Sequence, residues 1–299
     1  MVLRVRTGGG DVRPRVYTIT VAKNEDSFLG HALDSWAKHA YDQYVLDTGS
    51  IDNTMDEIEA CDKRRKAMAD RTAGMTSWRR MATVGESMVA RQWLLDKIPA
   101  SDEGDWVVIL DADELYGEPE IEALLRLMAD PEIDYIGTRP IPLGWDCSSV
   151  FYTAPLEPFD PADRFDPRLT TPYWCPRVTI HAMRRTRLQG VSDPNWGTEV
   201  FWTPFDIARH RPTDDMKPAP VPSGGIPVQF TGRTAWTDIH YWHLSYLTRS
   251  SRWRDIEQIP NSNAMDRCRA RAAAQYPLPS RYSVPEFVRK AVATLERPW

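Results

Sequence analysis

The sequence predicts an α/β fold, and three observations carry that expectation. Strand-like and helix-like segments alternate three times between residues 16 and 128, the pattern of a layered α/β domain. The run Trp106-Val107-Val108-Ile109-Leu110 is continuously apolar and mostly β-branched or aromatic, as a strand covered on both faces requires. It stops at Asp111-Ala112-Asp113-Glu114, so a buried strand delivers closely spaced carboxylates to a sheet edge. In open α/β sheets, ligands gather beyond such strand ends.

Each element follows in order. Val16–Val21 reads as a strand that stops at the polar corner Ala22-Lys23-Asn24-Glu25-Asp26. Phe28, Leu29, Ala32, Leu33 and Trp36 then fall at helical spacing. Tyr44-Val45-Leu46 is the next strand, ending in Asp47-Thr48-Gly49-Ser50. Gly49 permits a tight turn there, and Asp52 or Asn53 can cap a helix running to about Ala69. From Asp70 to Thr83 the pattern is weak, and a substrate-covering loop is expected. A helix over Glu86–Lys97 leads to the central strand, after which Pro119 suits a helix first turn, with Ile121, Leu124, Leu125 and Met128 as its apolar face.

Beyond the strand at Tyr135–Thr138 prolines become frequent, so long helices are not expected there. Arg177–Arg184 alternates as a half-buried strand. Trp236–Tyr246, with His240 and His243, reads as a last strand or turn, and the remainder is helical, broken at Pro260 and around Pro277 and Pro279. The expected organisation is a flexible leader over 1–13, a first half over 14–140, a second half over 141–250 completing the same domain, and a helical extension over 251–299.

Composition narrows the function classes. The 299 residues allow one large domain or two, and 42% hydrophobic with 26% charged residues is ordinary for a soluble globular chain. A formal net charge of -5 argues against a generally DNA-coating protein, although arginine outnumbers lysine and a local basic surface stays open. No stretch approaches the roughly 20 apolar residues of a membrane span, and the first residues lack a signal-peptide core, so a cytoplasmic location is expected. Cys61, Cys147, Cys175 and Cys268 form no Cys-x-x-Cys pair and are expected as free thiols. Twelve tryptophans offer either stacking platforms for a sugar or base, or plain core.

The strand-end carboxylates point to chemistry. Two carboxylates one residue apart can share a hard divalent cation through oxygen and leave positions for phosphate and water. A solvated acidic turn leading to a helix cap is the alternative.

Several motifs, in order, resemble family 2 glycosyltransferases of the GT-A fold. Thr20-Val21-Ala22-Lys23-Asn24-Glu25 is similar to that family's first-strand exit, and Leu46-Asp47-Thr48-Gly49-Ser50-Ile51-Asp52-Asn53-Thr54 to its second. Gly104 to Glu114 is similar to its Asp-x-Asp strand. Ala90-Arg91-Gln92 resembles the Ala-Arg-Asn that opens the preceding helix, with Gln in place of Asn. Pro176-Arg177-Val178 through Arg185 and Trp242-His243-Leu244-Ser245-Tyr246-Leu247 resemble later segments of bacterial members.

The resemblance implies an α/β/α sandwich with a mixed, mostly parallel sheet and a Pro/Trp-rich acceptor half. It also implies transfer of a sugar from a nucleoside diphosphate-sugar with Mn2+ or Mg2+. The acceptor stays open between a protein, a glycan, a small molecule and modified nucleic acid. By resemblance, Lys23, Asn24, Glu25, Asp47, Asp52, Arg91 and Asp111 line the donor, with Asp47 reading the nucleobase. Asp113 ligates the metal, and Asp111 lies near the ribose and the metal's waters. Each has a structural alternative: Asp47 as a turn former, Glu25 as a helix-start carboxylate, Asp52 as a cap. His240 and His243, three apart, leave opposite faces of a strand, and the family segment selects His243 for the metal or diphosphate.

Inverting transfer needs a carboxylate base across the sugar from the diphosphate. Glu199, in Asn195-Trp196-Gly197-Thr198-Glu199, is the candidate, with Asp146, Asp193 and Asp238 as rivals. The segment resembles the Trp-Gly-Gly-Glu of some other GT-A families, with Thr198 in place of a Gly. Rival functions are a metal-dependent phosphohydrolase and a non-catalytic nucleotide- or glycan-binding module. The haloacid-dehalogenase type of phosphohydrolase wants its Asp-x-Asp on the first strand, whereas here it comes third. A nucleotidyltransferase wants a glycine-rich basic loop at the first strand's exit, which Ala22-Lys23-Asn24-Glu25 lacks.

Overall fold

The computed structural model describes residues 14–67, 75–79, 87–99, 104–144, 146–150, 179–184, 190–192, 200–202, 234–244, 247 and 276–295. The first three stretches build β1 (Val16–Ala22), α1 (Leu29–Trp36), β2 (Asp42–Asp47), α2 (Thr54–Lys66), β3 (Met75–Arg79) and α3 (Ser87–Lys97). The chain continues with β4 (Trp106–Ile109), β5 (Glu114–Leu115), α4 (Glu118–Met128), β6 (Tyr135–Pro142) and β7 (Ser149–Val150). The later stretches add β8 (Thr179–Arg184), β9 (Gly190–Ser192), β10 (Val200–Trp202), β11 (Thr234–His243), β12 (Tyr276–Pro277) and α5 (Glu286–Ala293).

The main sheet has eight strands in the order β3-β2-β1-β4-β8-β6-β11-β5. β1 pairs in parallel with β2 and β4, β2 with β3, and β6 with β11, whereas β8 runs antiparallel between β4 and β6 and β5 antiparallel to β11. This is a mixed, mostly parallel sheet within an α/β fold. Strands from the second half complete it, because β8 and β11 flank β6.

β4 explains its own sequence. Val107 and Ile109 join Tyr17, Ile19 and Leu46 of β1 and β2 under Leu94 and Leu95 of α3. Trp106 and Val108 face the other way, into a cluster with Trp36, Tyr116, Leu124 and Ile136. Both faces are covered, so alternation would place polar groups in core, and the apolar run is the outcome. A third cluster seats α5: Val288, Ala291 and Val292 pack with Phe28, Leu143, Trp242 and Leu244.

β3 and β6 differ from expectation. The weak stretch at Asp70–Thr83 contains β3, an edge strand whose Trp78 ring stacks on Tyr44 at 5.6 Å and meets Trp93 edge-on at 5.2 Å. An edge strand whose middle residues, Thr76 and Ser77, are exposed has no need of a continuous apolar run, so its signal was faint. β6 runs past Thr138 through two prolines. Leu143 donates to His243 O at 3.2 Å, so by alternation the nitrogens of Pro140 and Pro142 face away from β11. On that side the pairing with β8 has already ended at Thr138, and no ladder bond is lost.

Candidate functional site

β1, β2 and β4 are parallel neighbours, so their carboxyl ends lie side by side at one edge of the sheet, and three of the acidic motifs leave from there. The exits of β1 and β2 are laced to each other. Asn24, with φ of 57°, donates its amide to Ser50 Oγ at 2.8 Å, and its side-chain Oδ1 accepts from Ile51 N–H at 2.8 Å. Asparagine tolerates this left-handed conformation because its short side chain bonds locally, as it does here. Gly49, at φ of 96°, completes the opposing turn.

Asp47 is fully buried beneath this corner, and its Oδ1 accepts from the Ser50 amide at 3.0 Å and from the Ser50 hydroxyl. The turn-forming role is therefore filled by Asp47. Asp52 Oδ1 accepts from the Thr54 amide at 3.0 Å and from its hydroxyl at 2.5 Å, while Thr54 Oγ1 accepts the Glu25 amide at 2.7 Å. Asp52 thus fixes the start of α2 and, through Thr54, the backbone of Glu25. Glu25 is buried and its carbonyl accepts from Leu29 N–H at 3.1 Å, opening α1. Lys23 lies half-buried on the same corner. Ser50 and Thr54 were not singled out from the sequence, although Asp-x-x-Ser and Asp-x-Thr are spacings at which side chains close turns on the backbone.

At the end of β4 the chain turns sharply. Glu114 N–H donates to Asp111 O at 3.1 Å, and the Glu114 carboxylate accepts the Asp111 amide at 3.2 Å. β5 then pairs with β11, matching Glu114 to His243 and Leu115 to Trp242, and the Leu244 amide donates to Asp113 O at 2.9 Å. This pairing brings His243 Nε2 to 3.6 Å from Asp113 Oδ2, although the two are 130 positions apart. The Asp113 side chain is nearly inaccessible, whereas the His243 ring is 21% exposed. Asp111 turns instead to Arg91 of α3, with which it forms an ion pair.

His240 leaves the opposite face of β11. Its ring meets Trp242 and Tyr282 edge-on and its Nε2 lies 3.6 Å from Glu120, while burial pushes its pKa below the ordinary imidazole value against the pull of that carboxylate. Of the rival bases, Asp146 accepts four hydrogen bonds from the amides and hydroxyls of Ser148 and Ser149. Burial pushes its pKa up, but those bonds outweigh it and hold the carboxyl at about 2, too weak a base for proton abstraction near neutrality. Asp238 pairs with the buried Arg139 at 2.9 Å. Glu199 and Asp193 lie outside the described residues; β10 begins at Val200, pairs with β9, and β9 rests on α3.

The donor set at the Asp111–Asp113 turn fits a cation at two positions. The Asp113–His243 separation is longer than a charge-assisted hydrogen bond, and adjacent octahedral ligands each about 2.1 Å from one ion are roughly 3.0 Å apart, so the two side chains would draw together on one ion. Among the described residues, Asp111, Asp113 and His243 do not bring three ligand atoms within 4.8 Å of one another. Asp113 and His243 could therefore bind directly, with Asp111 nearby and balanced by Arg91.

No family model matches this chain, and no curated protein matches it. Similar solved structures cover part of it. Glucosyl-3-phosphoglycerate synthase of Mycobacterium tuberculosis is 17% identical over 58% of each chain, with a TM-score of 0.36. The same synthase in complex with phosphoglyceric acid is 17% identical over 58% of each chain, with a TM-score of 0.33. A mycobacterial protein is 19% identical over 58% of this chain and 55% of that one, with a TM-score of 0.33. The chain thus matches little more than half the length of these structures. Among the described residues, no helix is long and apolar enough to cross a membrane.

Proposed function

We propose that this protein is a metal-dependent glycosyltransferase that moves a sugar, with inversion, from a nucleoside diphosphate-sugar to an acceptor hydroxyl or similar nucleophile. The observation that carries the reading is the Asp113–His243 pair, set at the end of a central parallel strand and beside the laced exits of β1 and β2. A carboxylate and an imidazole there would hold a divalent cation, Mn2+ more readily than Mg2+ because Mg2+ favours oxygen ligands, and that ion would supply charge stabilisation to the departing diphosphate.

The chain's own residues supply the rest. The corner formed by Lys23, Asn24, Glu25 and Asp47, held rigid by Ser50, Thr54 and Asp52, receives the nucleoside. Arg91 balances Asp111, whose carboxylate would lie toward the ribose of a bound donor. Glu199 takes the acceptor proton as the new bond to the anomeric carbon forms and the bond from that carbon to the diphosphate oxygen breaks. Proton and leaving group thus depart on opposite sides of the sugar, the geometry of inversion.

The test is a thermal-shift panel of nucleoside diphosphates with and without Mn2+, followed by release of free nucleoside diphosphate from the matching sugar donor. One base is expected to stabilise the protein, and only with metal. A panel with no metal-dependent shift, or with no turnover of any donor, sinks the reading. Hydrolysis of phosphate esters instead would favour the phosphohydrolase alternative.

A further inference from the structure

We propose that His39, Glu118 and Glu122 form a second divalent-cation site, suited to Zn2+, that ties the end of α1 to the start of α4. The inference is independent of the proposed transfer reaction. One donor atom from each of the three side chains lies within 4.8 Å of the other two.

The site is built from two elements. Glu118 and Glu122 are four apart on α4 and so share one face, where like charges at this spacing repel unless something positive lies between them. His39 sits just past α1, its amide donating to Trp36 O at 3.0 Å, and that turn drives its imidazole into the gap. The ring is 4% exposed, with Nε2 at 3.3 Å from Glu118 Oε1 and Nδ1 at 3.7 Å from Glu122 Oε1. Both separations exceed the 2.7–2.9 Å of charge-assisted hydrogen bonds. The 3.3 Å separation from Glu118 falls within the roughly 2.9–3.4 Å between neighbouring ligands on an ion about 2.0–2.1 Å away, whereas Glu122 faces the other ring nitrogen and must move to join it.

The chemistry selects the ion. One imidazole with two carboxylates is a donor set used by zinc, whereas Mg2+ and Ca2+ favour oxygen alone. A cation takes one ring nitrogen, so one carboxylate must swing toward it. The imidazole is fixed by burial, while Glu118 and Glu122 are 59% and 36% exposed and can move. Lys38 Nζ lies 3.6 Å from Glu118 Oε2, on the oxygen not directed at His39, and leaves Oε1 for the ion. Three ligands leave the fourth position to water. α1 starts from the Asn24–Glu25 corner and α4 follows the Asp111–Leu115 turn, so a bound cation would brace the two elements that lead away from the candidate donor site.

Calorimetric titration of ZnCl2 into the Asp113→Ala protein tests the site, because that background removes the carboxylate of the other proposed metal position. One equivalent should bind with micromolar affinity and raise the melting temperature, and binding should weaken as pH falls and protons compete for the imidazole. His39→Gln in that background should abolish the binding, and Glu122→Gln should weaken it at least tenfold, with circular dichroism confirming that each variant is folded. No heat and no melting shift in the folded Asp113→Ala protein overturns the site, as does unchanged binding in both further variants. Should Asp113→Ala not fold, the wild-type chain is titrated against His39→Gln, where one equivalent fewer is expected and equal stoichiometry overturns the proposal.

Discussion

His243 Nε2 lies 3.6 Å from Asp113 Oδ2, held there by the short antiparallel pairing of β5 with β11. The separation is too long for a good hydrogen bond, and under the proposed function the two side chains would draw together on one ion. Asp113→Ala is therefore expected to abolish metal-enhanced nucleotide binding, and His243→Ala to weaken it by about tenfold or more, since a ligand has been removed from a small set. His240→Ala should leave it near the wild-type level, because that ring faces Glu120 and Tyr282. Thermal shift with Mn2+ and the selected nucleoside diphosphate measures all three. Loss in His240→Ala with retention in His243→Ala would falsify the assignment of faces on β11.

The corner at Asn24 offers a test of pre-organisation. Asn24→Ala removes the bond to the Ile51 amide and places a residue with a Cβ at φ of 57°, with an expected loss of about 1–2 kcal/mol from backbone strain. Asn24→Gly relieves the strain but still lacks the side-chain acceptor, so it should fall between wild type and Ala. Denaturant unfolding gives the order, and an Ala variant as stable as wild type contradicts the corner geometry.

His240 makes stability depend on pH. Its folded pKa is lowered by burial, so above about 6.5 it is neutral in both folded and unfolded states and contributes no slope. As pH falls below 6.5 the unfolded chain takes up the proton first, and stability declines until the depressed folded value is passed. The difference in unfolding free energy between wild type and His240→Gln should therefore change between pH 7 and 5 and stay constant from pH 7 to 8. A difference that is flat across the whole range sinks the prediction.

Glu199→Gln should keep nucleotide and metal binding and reduce transfer by roughly a hundredfold or more, the usual worth of a positioned base. Single-turnover transfer and the anomeric configuration of the product are the measurements. Transfer near the wild-type rate, or retained configuration, removes Glu199 from the role.

The local chemistry was written in the sequence. β4 announced itself because both of its faces are core, and α4 because Pro119 and an apolar face at helical spacing mark a helix start. Asp47, Asn24 and Asp52 stood at strand exits, where turn geometry is set by neighbours two to three residues away. β3 and β5 were not legible, since an edge strand needs no distinctive pattern and a two-residue strand has no periodicity at all. The partnership of His243 with Asp113, of Arg91 with Asp111 and of His39 with Glu118 and Glu122 was likewise beyond sequence spacing. Each joins residues at least 20 positions apart, and their distances follow from which strand adds to which edge and which helix packs on which face. Sequence fixes the identity and local posture of a side chain through short-range sterics and hydrogen bonds; only the pairing of β5 with β11 and the docking of α1 and α3 decide what that side chain meets.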